Sequence, residues 1–269
     1  MKKALSLLFF IALFLLPVSA DTPPQAPPEF YFARMMYSGG RGGRFGFRSA
    51  PLENFTCADL ARGEGGFGGG WMTDYPAADC KFMWGVERLT GIHVYKEKPV
   101  TISIMDPKVF EYPYLYIVEP GQMYLSDEEA VKLREYLQRG GFLHIDDFWG
   151  LEEAANLIEQ MEKVFPDRAV QPVPLTHEIF HTFFDVDTVM QIPNVGNGCN
   201  GGPTWERSSD TRPRVLGISD DNQRLMVMIT YNSDLGDAWE WMDRPCYPEM
   251  YSGQAYRMGI NFIIYAMTH

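Results

Sequence analysis

The sequence predicts one α/β domain with a mainly parallel sheet and helices on both faces. The first observation is that short apolar runs typical of strands alternate along the chain with amphipathic helical patterns. The second is length, because the chain of 269 residues falls within the range of one large α/β domain once a short leader is removed. No internal repeat is visible.

The elements follow one another at regular intervals. The predicted strands are residues 30–37, 100–105, 114–118, 142–145, 215–219 and 225–231. The predicted helices are residues 74–90, 126–139, 151–164 and 255–267. The second helix has the clearest start, since Ser126 and Glu129 form a capping box, and Gly140 ends it. The glycine-rich segment 38–70 contains no phosphate-binding motif and is interpreted as a surface loop.

The first twenty residues predict export. Two lysines precede an apolar run, and Val18-Ser19-Ala20 places small residues where signal peptidase cuts. The run is shorter than the ~20 residues of a membrane-spanning helix. We therefore expect a signal peptide over 1–20, a proline-rich tether over 21–28 and one domain over 29–269. The mature chain would carry no transmembrane segment and would be periplasmic or extracellular.

The charge limits the choice of partners. The formal net charge is −12 at pH 7, and phosphate-rich partners attract clusters of lysine and arginine. Nucleic acid is thus excluded as a partner. A small polar ligand or an envelope protein is compatible with the composition, and the sequence does not choose between them.

Four cysteines in an exported chain favour disulfides. Three pairings are possible, and we favour Cys57 with Cys80 and Cys199 with Cys246, because each pair would stabilise an irregular, glycine-rich stretch. No CxxC spacing is present, so a cysteine-based zinc site has little support.

Polar residues follow several predicted strands, where ligands of open parallel sheets bind. Adjacent carboxylates such as Asp146 and Asp147 can share a proton or hold a cation. Alternatively, one of them caps the helix that begins near Leu151. The tryptophans nearby, which include Trp205 and Trp241, could line a cleft or simply pack. The predicted binding crevice consists of Glu119, Asp146, Asp147, Trp149, His177, Asn232, Asp234, Asp237, Trp239 and Glu240.

Residues 177–181 read HEIFH, a match to the zinc-binding H-E-x-x-H motif. On a helix, His177 and His181 would share a face and bind zinc, with Glu178 as the base. A third ligand would be a carboxylate such as Asp185, since no further histidine occurs before the last residue. Zinc is the only cofactor that the sequence suggests, and only under this interpretation. The alternative is a short packing helix.

Several segments together resemble the bacterial family of domain of unknown function 4159 (DUF4159). They are WMTDYPAAD (71–79), YPYLYIVEPG (112–121), LREYLQRGGFLHIDDFWG (133–150), VFPDR (164–168), THEIFH (176–181), DLGDAWEW (234–241) and AYRMGINFIIYAMTH (255–269). The resemblance implies a flavodoxin-like, class I glutamine-amidotransferase-like fold, frequent export and no established reaction. The segment around His177 is also similar to a stretch of trehalose-utilisation-type relatives that is not a zinc-protease helix.

The resemblance also implies that glutaminase activity is absent, because Asp146-Asp147 stand where such enzymes carry a nucleophilic cysteine. Two functional hypotheses remain. The first is a binding or assembly domain on an amidotransferase-like scaffold. The second is a metal-dependent hydrolase that uses the HEIFH segment and nearby carboxylates.

Overall fold

The computed structural model describes residues 27–39, 55–62 and 68–269. The predicted signal peptide, most of the predicted tether and much of the glycine-rich segment lie outside these residues. Across the described ranges, no helix combines the length and the apolar character that a membrane span requires.

The strands are β1 (Ala33–Met36), β2 (Ser38–Gly39), β3 (Val100–Ser103), β4 (Tyr114–Val118), β5 (Met123–Tyr124), β6 (Phe142–Asp146), β7 (Gln171–Pro172), β8 (Arg214–Ser219) and β9 (Leu225–Tyr231). The helices are α1 (Ala77–Thr90), α2 (Asp127–Gln138), α3 (Gly150–Val164), α4 (Val195–Asn200), α5 (Leu235–Glu240) and α6 (Glu249–Thr268).

Five parallel strands form the centre of the sheet in the order β3-β1-β4-β6-β9. With these five numbered along the chain, the order is 2-1-3-4-5, that of flavodoxin-like folds. β8 and β7 extend the sheet beyond β9 in antiparallel pairs. The predicted α/β fold with a mainly parallel sheet is therefore confirmed. We call the edge at which the parallel strands end the carboxyl edge, and the opposite one the amino edge.

Side chains of the buried strands alternate between two core layers. On β4, Tyr114 and Tyr116 face a layer formed with α1, α5 and α6, whereas Leu115 and Ile117 face a layer formed with α2 and α3. This alternation follows from the two-residue period of a strand. Both faces of the sheet are therefore covered, which leaves the ends of the strands, at the carboxyl and amino edges, as places for a functional site.

Local signals explain the helix ends that the sequence predicts. The side chains of Ser126 and Glu129 form the expected capping box at the start of α2. Gly91 ends α1 in the left-handed conformation, at φ 80°. α1 begins at Ala77 rather than at Asp74, because Pro76 occupies the cap position.

Other elements differ from the prediction. α6 begins at Glu249, six residues before the predicted start. The short elements α4, α5 and β7 are not predicted, since helices of six residues contain fewer than two turns and a strand of two residues shows no alternation. The HEIFH segment is not an α-helix but a single 3₁₀ turn over Glu178–Phe180.

Candidate functional site

Three neighbouring strands end at residues with an unusual backbone. Glu119 after β4, Asp147 after β6 and Asn232 after β9 have φ values of 52°, 53° and 54°. The left-handed region is uncommon for residues other than glycine. Such outliers gather at functional sites, where the surrounding structure holds them. The backbone therefore points to the carboxyl edge as the place of a site.

Asp146, the last residue of β6, is a structural carboxylate. It accepts hydrogen bonds from the hydroxyls of Tyr116 (2.9 Å) and Thr230 (2.6 Å). It also accepts hydrogen bonds from the backbone N–H groups of Leu235 (2.8 Å) and Gly236 (3.1 Å). Burial raises its pKa to about 6, against the effect of these donors. The capping alternative thus applies to Asp146, although the helix it holds is α5 and not the one that begins near Leu151.

Asp147 is also buried, but its side chain accepts fewer hydrogen bonds than that of Asp146. The indole N–H of Trp149 donates to its Oδ1 at 3.0 Å. Burial raises the pKa of Asp147 well above its usual value, and the charges of Glu119 and Asp146 raise it further. This side chain therefore favours a positively charged neighbour or a proton.

Asp74 reaches the same edge from the loop before α1. Its backbone is also left-handed, with φ 62°. Its Oδ2 atom is shielded from solvent and receives no hydrogen bond from any described residue. Burial, followed by the charges of Asp237 and Asp147, raises its pKa well above the usual value.

Arg34 positions the loop that carries Asp74. This fully buried arginine of β1 makes a two-pronged ion pair with Asp79, at 2.6 and 3.0 Å. Its Nη1 also donates to the carbonyls of Trp71 (3.1 Å) and Thr73 (2.7 Å). The guanidinium is thus occupied by Asp79 and the backbone, and it forms no ion pair with Asp74.

The start of α5 supplies further acidic side chains. Asp234 caps this helix, because its Oδ1 accepts the N–H of Asp237 at 2.7 Å. Both oxygens of Asp237 are engaged, one with the N–H of Val195 (2.5 Å) and the other with the indole of Trp241 (3.0 Å). Glu240 is buried beside them.

These side chains converge on one place. One carboxyl oxygen from each of Asp74, Asp147 and Asp234 lies within 4.8 Å of the other two. The same holds for one oxygen from each of Asp74, Asp237 and Glu240. We call the five residues the carboxylate cluster. Asp74 as a whole residue is partly exposed and the other four are buried, while the Oδ2 atom of Asp74 is itself shielded from solvent. The arrangement can bind a cation or share protons between carboxyls.

A second acidic group borders the cluster. Burial raises the pKa of Glu119 to about 7, and the charges of Glu153 and Glu206 contribute, whereas Arg207 lowers it. Glu153 accepts the backbone N–H of Trp149 at 2.7 Å and a hydrogen bond from Arg207 at 3.4 Å. Negative charge therefore extends from the cluster toward α3.

Other residues of the predicted crevice have structural positions. Asn232 donates to the carbonyls of Asp210 and Arg212 and accepts the N–H of Gly150, and so it connects two loops. Trp239 is fully buried and stacks on Phe82, with the ring centroids 4.1 Å apart. Trp239 therefore lies in the core and does not line a cleft.

The HEIFH segment lies at the amino edge, away from the carboxylates. His177 packs against Tyr265, whose hydroxyl accepts the N–H of Leu225, the first residue of β9. The His177 Nδ1 accepts the N–H of Ile179 at 3.2 Å and caps the 3₁₀ turn. His181 contacts the carbonyl of Leu175 (2.9 Å) and the carboxylate of Asp185 (3.0 Å). The segment lacks the helical face that the zinc interpretation requires.

The structure joins Cys57 to Cys80 and Cys199 to Cys246, the pairing that the sequence favours. No cysteine remains free. The first disulfide connects a 3₁₀ segment to α1, and the second connects α4 to the loop before α6. The chain therefore offers no thiol as a nucleophile.

The predicted crevice includes four members of the carboxylate cluster, Asp147, Asp234, Asp237 and Glu240, and leaves out Asp74 and Arg34. In the sequence, Asp74 is recognisable only as the start of a helix. A signal for Arg34 is present, because a single arginine in the apolar stretch FYFARMMY of a buried strand requires an acidic partner.

A comparison with protein families gives a match. The family model described as "Domain of unknown function (DUF4159)" matches residues 56–267, most of the chain. No curated protein gives a match to this sequence. The matched range includes every residue of the carboxylate cluster.

Proposed function

We propose that this chain, which belongs to the DUF4159 family, is a binding domain that takes up a positively charged ligand at the carboxylate cluster. The observation that carries the proposal is the presence at the carboxyl edge of two groups of three close carboxyls that share Asp74. Like charges in a low-dielectric site repel one another, and a bound cation removes that repulsion.

Four of the five carboxyls receive little compensation from the described residues. Among them, no lysine or arginine forms an ion pair with Asp74, Asp147, Asp234 or Asp237. Arg34 is committed to Asp79, and Arg207 contacts Glu153. A cationic ligand would therefore supply the missing positive charge.

The position of the cluster also supports binding. Ligands of open parallel sheets bind beyond the carboxyl ends of the strands, at the point where the strand order reverses. Here that point lies between β1 and β4, and Asp74 belongs to the connection that leaves β1. The left-handed residues at the ends of β4, β6 and β9 flank the same place.

The HEIFH segment supports no second candidate function. Its two histidines are engaged within a single 3₁₀ turn and its surroundings. The disulfides also leave no thiol for a glutaminase-type mechanism. We retain the proposal of a binding domain that lacks glutaminase activity.

A panel of charged probes tests the proposed function. We expect at least one cation among spermidine, L-arginine, glucosamine and CaCl₂ to raise the melting temperature of the wild-type protein. Citrate and L-glutamate should not do so. Asp147→Asn should remove the response, whereas Asp221→Asn, at an exposed position of an ion pair with Arg168, should keep it. A response that is equal in both variants, or absent for every cation, contradicts the proposal.

We also propose that the protein is exported. The N-terminal sequence supports this, and so do the two disulfides, because such bonds persist in oxidising compartments. Mass spectrometry of protein from the periplasm or medium should give an N-terminus at Asp21. Protein that keeps Met1 and stays in the reducing cytosol argues against export.

A further inference from the structure

We infer that Asp74, Asp147 and Asp234 form a binding site for a hard divalent cation of the calcium type. The inference rests on the proposed function and names the ligand class of the same site. The three residues come from the loop before α1, the end of β6 and the start of α5. The fold itself therefore assembles the site.

The donor atoms are those that calcium prefers. Hard cations bind oxygen, and calcium accepts six to eight oxygens at about 2.3–2.6 Å in flexible geometry. Two ligands on opposite sides of such an ion are about 5 Å apart. The oxygens of the three residues lie within 4.8 Å of one another. Magnesium keeps several waters and is usually bound through one or two carboxylates, so a set of three protein carboxylates favours calcium.

The Oδ2 atom of Asp74 is an independent indication of a ligand. It is inaccessible to solvent and accepts no hydrogen bond from the described part of the chain. Leaving a buried acceptor unsatisfied is destabilising, and more so for a charged group. A proton shared with the facing Asp237 carboxyl is the alternative to a metal ion. A cation would satisfy all three carboxylates at once, whereas a proton satisfies one pair.

Of the two overlapping groups, the one with Asp147 and Asp234 is the better set of ligands. Each oxygen of Asp237 already accepts a hydrogen bond. The side chains of Asp147 and Asp234, by contrast, each accept a single hydrogen bond in the described structure. The indole of Trp149 donates to Asp147, and the backbone N–H of Asp237 donates to Asp234. Their remaining oxygen lone pairs are available to a metal ion.

The backbone provides room at the same place. A Cβ atom on Gly236 would lie 2.6 Å from Oδ2 of Asp74 and 3.5 Å from Oδ1 of Asp234. The absence of a side chain at this position leaves the space between the two carboxylates open.

Calorimetric titration of the purified, metal-stripped protein with CaCl₂ tests the inference. We expect saturable binding of one Ca²⁺ per chain. Affinity should fall at least tenfold in Asp147→Asn and in Asp74→Asn, with unchanged circular dichroism, and should stay the same in Asp221→Asn. Asp234→Asn keeps the oxygen that caps α5 and should also lose affinity, which separates metal binding from helix capping.

Terbium luminescence gives a second readout that requires no enzymatic activity. The indole of Trp149 donates to Oδ1 of Asp147, so Tb³⁺ at the site should be sensitised by tryptophan excitation. CaCl₂ should displace it, and MgCl₂ should do so at higher concentration. In Trp149→Phe we expect the sensitised signal per bound Tb³⁺ to fall, with the amount of bound Tb³⁺ taken from calorimetry.

The possible outcomes separate this inference from the proposed function. If Ca²⁺, Mg²⁺ and Tb³⁺ fail to bind but spermidine or L-arginine binds in a manner that depends on Asp147, the metal site is wrong and the cation-binding domain stands. If Asp74→Asn and Asp147→Asn bind Ca²⁺ as tightly as the wild type does, the assigned ligands are wrong. If neither metal nor organic cation binds, both proposals fail.

Discussion

At the carboxyl edge, the carboxyls of Asp74, Asp147 and Asp234 lie within 4.8 Å of one another, and one oxygen of Asp74 has no donor among the described residues. At the amino edge, His177 and His181 resemble a metal motif in sequence, yet backbone groups and Asp185 engage their rings. The contrast teaches that residue types alone do not mark a site. What distinguishes the carboxyl edge is unsatisfied, converging charge.

The largest expected effect concerns the ion pair beneath the carboxyl edge. In Asp79→Asn the guanidinium of Arg34 would remain buried without its carboxylate, and both side chains are 0% exposed in the pair. We expect the free energy of unfolding to fall by about 3–5 kcal/mol in urea denaturation. The pair of Lys81 with the exposed Asp243 provides the control, since Asp243→Asn should cost less than about 1 kcal/mol. Similar losses in the two variants would contradict the supporting role of Arg34.

The next prediction uses the pH dependence of Glu119, at the border of the cluster. Its folded-state pKa of about 7 lies above its ordinary value of 4.5, so the folded state binds this proton more tightly. Its contribution to stability should therefore be present below about pH 4.5 and be lost as the pH rises to about 7. Solvent screening of this partly exposed group reduces the effect to about 1–2 kcal/mol.

The variant Glu119→Gln isolates that contribution. The difference in unfolding free energy between the variant and the wild type should change over this pH range and level off above it. The buried His144 titrates in the opposite sense, since its pKa is lowered to about 3. It contributes equally to both proteins and cancels in the difference. A difference that does not vary with pH would show that Glu119 titrates normally.

Filling the space at Gly236 should have a smaller but more specific effect. The added methyl group of Gly236→Ala would approach Oδ2 of Asp74 to 2.6 Å and the hydroxyl of Tyr116 to 3.2 Å. We expect Ca²⁺ affinity to fall at least tenfold, measured by calorimetry. Gly253→Ala on α6 is the control, because nothing lies within 4 Å of its added carbon. Equal affinities in the two variants would place the cation elsewhere.

The sequence predicts part of the site because parallel strands end at the same edge. That rule alone is enough to group Asp147 with Asp234. It does not find Asp74, which a loop brings in once β1 pairs with β4 and Arg34 holds that loop. Nor does it separate the two edges, so the predicted crevice includes His177. The predicted crevice includes Trp239 because it follows Asp234 and Asp237 closely in the sequence. In the structure, helix α5 directs its ring into the core.

The smallest effect is expected at the amino edge, in the double variant His177→Ala/His181→Ala. The side chain of His177 caps one 3₁₀ turn, and loss of such a cap costs about 1 kcal/mol. His181 is an exposed partner of Asp185 and should add little to that loss. We expect Ca²⁺ affinity to be unchanged and zinc content to stay below one per chain, as measured by elemental analysis before and after the substitution. Stoichiometric zinc in the wild type that disappears in the double variant would reverse the comparison. It would show that the single turn rearranges around a metal ion, and it would favour the hydrolase that the motif suggests.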